Sequence, residues 1–104
     1  MLNKDSILLQ LKELKPEFQK DEVNILGLFG SYARDEENKN SDIDILIETT
    51  PLFLEKYRGL KAYAKLEDLK NIIKDTFHKE IDFVAKSELN QHSNTYILNK
   101  AIYV

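Results

Sequence analysis

Hydrophobic residues recur every three to four positions in three stretches of the chain, which is the spacing of an amphipathic helix. The predicted helices cover 4–15, about 60–74 and about 94–102. Pro16 is expected to end the first helix or to open a second short turn that continues through Phe18. The residues expected to face inward are Ile7, Leu8, Leu11 and Leu14 in the first helix, Ala62, Tyr63, Leu66, Leu69, Ile72 and Ile73 in the second, and Ile97, Leu98, Ala101 and Ile102 in the third.

Three other stretches have the patterns of β-strands. Residues 23–29 are apolar on both faces, which predicts a central strand that Gly30 ends before a short helix near Ser31. Residues 42–48 and 80–85 instead alternate, so that apolar side chains share one face and acidic side chains lie on the other. Helices and strands therefore alternate along the chain. This order predicts an α/β layer whose helices pack on the apolar face of the sheet.

The totals of the sequence exclude several classes of protein. A chain of 104 residues, 42% of them apolar and 32% charged, fits one soluble domain covering 1–104. Its net charge is −3 and no basic stripe is present, which argues against direct binding of nucleic acid. It has no cysteine for disulfides or thiolate metal sites, and no apolar run long enough to span a membrane. We expect a cytoplasmic protein.

Asp42 and Asp44 are the first candidates for chemistry. Residues two apart in a strand point to the same face, so both carboxylates project together while Ile43 points into the core. Such a pair is unfavourable unless a cation lies between the charges, and oxygen ligands favour magnesium or a similar hard ion. Asp82 can converge on the same face from the third strand. Three such carboxylates suit a two-metal site for in-line displacement at phosphorus.

The turn at Gly30 and Ser31 is the second candidate site. A glycine turn that opens a helix offers backbone N–H groups to phosphates, and the hydroxyl of Ser31 adds a donor. Arg34 follows one turn later and supplies a fixed positive charge. The alternative interpretation is an ordinary turn with a helix cap, in which Arg34 pairs with Asp35 or Glu37.

These motifs match a known family when they are combined. The sequence resembles the nucleotidyltransferases of the DNA polymerase beta superfamily, and more narrowly the minimal nucleotidyltransferases (MNT) often paired with a HEPN-domain partner. The resemblance implies an α+β fold with a small mixed sheet of the palm type and helices on one face. The segments that carry it are Gly30-Ser31-Tyr32-Ala33-Arg34, Asp42-Ile43-Asp44 and Ile81-Asp82-Phe83-Val84.

The resemblance also implies an activity: Mg²⁺-dependent transfer of a nucleoside monophosphate, AMP from ATP, to a hydroxyl group. It makes Asp42 and Asp44 the ligands of two Mg²⁺ ions and Asp82 the third ligand and a candidate base. It places Gly30 and Ser31 on the triphosphate, with Arg34 nearby. Some members of the family are antitoxins that adenylylate a tyrosine of a HEPN toxin, so a HEPN toxin is the expected partner.

Two other functions stay open at this stage. Asp35 stands where the family usually has glycine, and with Glu36 and Glu37 it brings negative charge towards the proposed triphosphate site. These charges favour an antitoxin that neutralises its partner by binding, with catalysis weak or lost. The other alternative is transfer to a small molecule, with a separate helical protein holding the acceptor.

Overall fold

A four-stranded mixed sheet with helices forms the part of the chain described by the computed structural model, residues 2–88 and 100–104. Every helix in this part is too short or too polar to span a bilayer. The elements in chain order are α1 (Lys4–Gln19), β1 (Val23–Phe29), α2 (Gly30–Ala33), β2 (Ile43–Thr49), α3 (Pro51–Lys56), α4 (Leu60–Phe77), β3 (Ile81–Ala85), a 3₁₀ turn (Lys86–Glu88) and β4 (Ile102–Tyr103).

The strands lie in the order β3-β2-β1-β4. β1 pairs antiparallel with both β2 and β4, whereas β2 and β3 are parallel. β1 therefore has a neighbouring strand on each edge, which confirms that it is a central strand. The mixed sheet and its helices confirm the predicted fold class.

The hydrophobic core lies on the isoleucine face of the sheet. Ile43, Ile45 and Ile47 of β2 are at most 1% exposed. α1 adds Ile7 and Leu11 to the same cluster. The helices thus pack on the predicted face, and the opposite face carries the acidic residues of β2 and β3. Other core residues are Phe18, Val23, Ile25, Leu28, Tyr32, Phe53, Leu69, Ile73, Phe77 and Ile81.

α1 continues through its proline, contrary to the prediction. The helix begins with a capping box in which Asn3 and Ser6 bond reciprocally, and it ends only after Gln19. Pro16 lies inside it on the exposed side, whereas Phe18 is completely buried. The last turn is therefore held against the core by Phe18, and this packing outweighs the helix-breaking tendency of the proline.

α4 begins as predicted but is longer than the expected 60–74. It ends where His78 adopts a left-handed conformation (φ 56°) and donates its N–H to the Lys74 carbonyl at 2.7 Å. The prediction that Tyr63 and Ile72 face inward is wrong, because Tyr63 is 68% exposed and Ile72 is 46% exposed. The buried stripe is narrower than the apolar pattern, since only residues in line with Leu69, Ile73 and Phe77 reach the sheet.

The third predicted helix, about 94–102, falls mostly outside the described residues. Its last member, Ile102, lies in β4, so the prediction is wrong there. β4 can pair with β1 because Gly27 has no side chain: a Cβ at that position would overlap the Ile102 carbonyl oxygen. Val104 extends the pairing by donating its N–H to the Leu26 carbonyl at 3.0 Å.

Candidate active site

Asp44 and Asp82 are brought together by the parallel pairing of β2 with β3. The register places Asp44 opposite Asp82 and Ile43 opposite Ile81. Neighbouring strands lie about 4.8 Å apart, and partners in register point to the same face. The third acid predicted from the sequence is therefore next to the second, on the face that does not carry the core.

Asp42 lies just before the first residue of β2, two positions from Asp44, and is exposed. Asp44 itself is half-buried. Burial raises the pKa of the Asp44 carboxyl to about 6, with further contributions from the negative charges of Asp82 and Asp42; the positive charge of Arg34 acts in the opposite direction. The carboxylates of the predicted triad therefore repel one another through space, and the guanidinium partly offsets this repulsion.

Gly30 packs directly against the Asp44 carboxylate. It follows Phe29, the residue of β1 that pairs with Asp44, and it has a positive φ of 76°. A Cβ at Gly30 would overlap Asp44 Oδ2, so both the backbone conformation and the space require glycine. Ser31 follows in the first turn of α2, where N–H groups have no acceptor within the helix. The turn at Gly30 and Ser31 is thus in direct contact with the Asp44 carboxylate of β2.

Two of the acidic residues in the loop after α2, Asp35 and Glu36, form ion pairs. Asp35 has a left-handed backbone (φ 57°) at the position where the family usually has glycine, and its carboxylate meets Lys4 Nζ at 3.1 Å. Arg34 Nε lies 3.2 Å from Glu36 Oε2, so the ion pair of this arginine is with the acid between the two expected partners, Asp35 and Glu37. The negative charge that the sequence brings towards the site is therefore partly neutralised.

The oxygen donors of the site suit a hard cation. All three predicted ligands are carboxylates, and the pKa of Asp44 is raised first by burial and then by repulsion from Asp82 and Asp42, which a bound cation would offset. Within residues 2–88 and 100–104 no three His, Cys, Asp or Glu side chains already form a metal cluster. Asp42 and Asp82 are exposed at the surface of the site, so their side chains are free to reorient around an ion.

Lys79 is a residue of the site region to which the sequence assigns no role. Its ammonium donates to the Lys39 carbonyl at 2.8 Å and to the Ser41 carbonyl at 3.2 Å, and so reaches the loop that leads into Asp42. Lys79 is separated from that loop by about forty positions in sequence, so no local pattern reveals this contact.

The relationship to known proteins agrees with this geometry. A family model described as a nucleotidyltransferase domain matches residues 10–104. The chain belongs to this nucleotidyltransferase family. This nucleotidyltransferase is 34% identical over 102 residues to "Putative protein adenylyltransferase MJ0128" of Methanocaldococcus jannaschii, covering 97% of this chain and 93% of the relative. It is 29% identical over 93 residues to "Protein adenylyltransferase MntA" of Thermococcus cleftensis, covering 89% and 83%.

Two solved structures share the fold of this nucleotidyltransferase. "Structure of putative minimal nucleotidyltransferase" superposes with a TM-score of 0.75 at 20% identity and covers 99% of this chain and 97% of that one. "Crystal structure of the toxin-antitoxin with AMP-PNP" gives a TM-score of 0.62 at 22% identity, covering 98% and 72%. These likenesses show the shared fold. The family match and the relatives named protein adenylyltransferase confirm the resemblance to minimal nucleotidyltransferases and the assignment to the nucleotidyltransferase class.

Proposed function

We propose that residues 1–104 act as one domain that transfers AMP from ATP to a hydroxyl of a partner protein, a tyrosine of a HEPN-type toxin, and so serve as its antitoxin. The observation that carries this proposal is the register of Asp44 with Asp82, with Gly30 packed against Asp44. Relatives named protein adenylyltransferase support a protein acceptor. The neighbour described as a toxin–antitoxin with AMP-PNP supports a toxin partner and ATP as donor.

The predicted site residues divide into metal ligands and phosphate-binding residues in this proposal. Asp42 and Asp44 would hold two Mg²⁺ ions, with Asp82 as the third ligand. Bound Mg²⁺ would neutralise the phosphate charge and favour departure of pyrophosphate. Gly30 and Ser31 would bind the triphosphate through their N–H groups and the Ser31 hydroxyl.

The chemical step needs one base and one leaving group. The acceptor oxygen forms a bond to the α-phosphorus, and the bond from that phosphorus to the bridging oxygen of pyrophosphate breaks. The acceptor proton passes to the carboxylate of Asp82, which is exposed and therefore accessible to a hydroxyl on another protein. Arg34, which acts electrostatically on Asp44, would stabilise the negative charge that accumulates on the phosphates.

Label transfer tests the proposal directly. The protein is incubated with α-labelled ATP, Mg²⁺ and the purified product of the neighbouring gene, and the label on that partner is measured. The wild-type protein is expected to label the partner, and the double variant Asp42→Ala, Asp44→Ala is expected to lose this activity. Asp68→Asn, an exposed acid of α4, is the matched control and should label normally.

Two results would reject the proposal: no transfer by the wild-type protein, or full transfer by the double variant. The same variants also test neutralisation by binding alone. If the double variant is folded, binds the toxin and still protects cells, the protein acts as a binding antitoxin. The pairing of Asp35 with Lys4 weakens this alternative, because the charge that motivated it is partly neutralised.

A further inference from the structure

We infer that Lys79 is a positioning residue that holds the separate parts of the active site in register. This inference rests on the proposed function only in assigning Asp42 to the metal site. Lys79 Nζ donates to the carbonyl oxygens of Lys39, at 2.8 Å, and Ser41, at 3.2 Å. Ser41 directly precedes Asp42, so the ammonium fixes the backbone from which that carboxylate projects.

The same ammonium lies over the ring of Tyr32, which follows the Gly30-Ser31 turn in α2. Lys79 Nζ is 5.9 Å from the ring centroid of Tyr32, which is within the range of a cation–π contact. Tyr32 is only 3% exposed and follows Ser31 in α2. Because the Tyr32 ring is buried, its contact with Lys79 Nζ restricts the position of the ammonium that binds the loop before Asp42.

Lys79 also lies close to the third acid along the chain. It is three residues before Asp82, and Glu80 between them accepts the N–H of Ile43 at 3.0 Å. The start of β3 is thereby joined to the start of β2. One side chain at Lys79 consequently links the segments that carry Asp42, Ser31 and Asp82.

The loop before Asp42 has few other fixed points. Its own bonds are local: Asn38 N donates to Ser41 Oγ at 2.9 Å, Asn40 N to Asn38 Oδ1 at 2.8 Å, and Ser41 N to Asn38 O at 3.0 Å. In the described part of the chain, the side-chain hydrogen bonds that reach loop residues 38–41 from outside come from Lys79. Removing its ammonium would keep the local hydrogen bonds of the loop and remove the side-chain link between the loop and the segment before β3.

Metal affinity should respond more strongly than stability to this loss. The carbonyls that Lys79 binds lie at a partly exposed site, so water can replace the donor, and the free energy of unfolding should fall by only about 1 kcal/mol. Residues that orient metal ligands typically change metal affinity or activity by about 10- to 100-fold. We expect Lys79→Met to weaken Mn²⁺ binding about tenfold.

The experiment compares three variants in the full chain. Lys79→Met removes the donors and keeps the aliphatic stem, and Lys79→Arg restores donors that can reach both carbonyls and the ring. Lys74→Met is the control, because it removes an exposed lysine of the same surface that pairs with Glu80 at 2.8 Å. Mn²⁺ binding is measured by electron paramagnetic resonance, amide exchange by NMR, and AMP transfer as a function of Mg²⁺ concentration.

Lys79→Met should weaken Mn²⁺ binding, speed amide exchange at residues 39–42 and lower kcat at limiting Mg²⁺, with recovery in excess Mg²⁺. Lys79→Arg should restore Mn²⁺ binding to within about threefold of wild type, and Lys74→Met should leave it unchanged. Unchanged Mn²⁺ binding and exchange in Lys79→Met would overturn the inference, as would an equal effect in Lys74→Met. If the wild-type protein transfers no AMP but Lys79→Met still weakens Mn²⁺ binding, the proposed function fails and the positioning role stands.

Discussion

Asp44 and Asp82 lie directly opposite each other on two parallel strands, with both side chains on the face away from the core. Folding therefore brings two like charges together, and the exposed Asp42 adds a third nearby. Burial and this repulsion together raise the pKa of Asp44 to about 6, and Arg34 offsets only part of the effect. Such an arrangement destabilises the folded chain when no cation is bound. It is expected at a site that is completed by a ligand.

Replacing Asp44 by asparagine should stabilise the protein in a chelating buffer at neutral pH. The folded-state pKa of about 6 lies above the ordinary 3.8, so ionisation is unfavourable in the folded chain. Stability from this group therefore falls as pH rises from about 4 to about 6. Each pKa unit corresponds to about 1.4 kcal/mol; discounted for partial exposure, the expected gain at neutral pH is about 1–2 kcal/mol. Urea unfolding across this pH range measures it.

The gain of Asp44→Asn should disappear near pH 4, where the wild-type carboxyl is protonated as well. Asp68→Asn, at an exposed position of α4, should change stability little at any pH. Added Mg²⁺ should raise the melting temperature of the wild-type protein and not that of Asp44→Asn. A variant less stable than wild type at neutral pH without metal would contradict this account of the site.

Gly30→Ala should both destabilise the protein and remove its activity. Alanine at φ 76° is strained, and its Cβ would overlap the Asp44 carboxylate. Together these effects should lower the free energy of unfolding by about 2–3 kcal/mol. Gly59→Ala is the matched control: it also has a positive φ, of 60°, but no neighbouring atom within 4 Å. It should lose about 1–3 kcal/mol, all of it from backbone strain, and keep its activity.

The overlap itself can be isolated in a double-mutant cycle. In the Asp44→Ala background, Gly30→Ala should lower the free energy of unfolding by clearly less than it does in the wild-type background, because the carboxylate that the new Cβ would overlap is gone. Equal effects in both backgrounds would show that backbone strain alone requires glycine at this position. Thermal or urea unfolding of the four proteins gives the comparison.

Local spacing predicted most of the strands and the acidic residues, because alternation fixes which side chains share a face. Asp42 and Asp44 needed only the two-residue period of a strand. The neighbouring position of Asp82 required more, since it depends on which strands pair and in which register. The sequence placed Asp82 on the correct face, and the parallel register brought it beside Asp44.

The failed predictions involve contacts between residues distant in sequence. α1 continues past Pro16 because Phe18 packs into the core. Ile102 lies in a strand because Gly27 has no side chain, which lets the Ile102 backbone approach and pair with β1. The pairing of Asp35 with Lys4 joins residues 31 positions apart. Helical periodicity and local spacing carry no information about such partners, so tertiary packing overrides them.

Asp35→Gly restores the residue usual in the family and should change little. Glycine adopts φ 57° without strain, which offsets the loss of an exposed ion pair with Lys4. Stability should stay within about 0.5 kcal/mol of wild type, and KM for ATP within about threefold. Lys4→Met is the informative partner variant, because it leaves the Asp35 charge uncompensated and should raise KM for ATP about twofold. A tenfold or greater fall of KM in Asp35→Gly would show that this carboxylate repels the triphosphate.

Tyr57→Phe should lower stability without affecting activity. The Tyr57 hydroxyl donates to Asp21 Oδ1 at 2.6 Å, at the opposite end of β1 from Gly30. Losing this bond should lower the free energy of unfolding by about 1 kcal/mol, and Asp21 keeps Lys65 Nζ at 3.3 Å. AMP transfer should match the wild-type rate because the site is distant. Tyr63→Phe, at an exposed position of α4, is the control for loss of a hydroxyl.

The difference between wild type and Tyr57→Phe should depend on pH in a defined direction. The hydrogen bond to Asp21, followed by burial and nearby negative charge, raises the pKa of Tyr57 from 10.0 to about 12. A raised folded-state pKa means that the contribution is complete below pH 10 and is lost as pH rises towards 12. Urea unfolding should therefore give a constant difference from neutral pH to about 10 and a shrinking one above it. A difference that persists unchanged at pH 12 would contradict the assignment of this stability to the hydrogen bond that the protonated Tyr57 hydroxyl donates to Asp21.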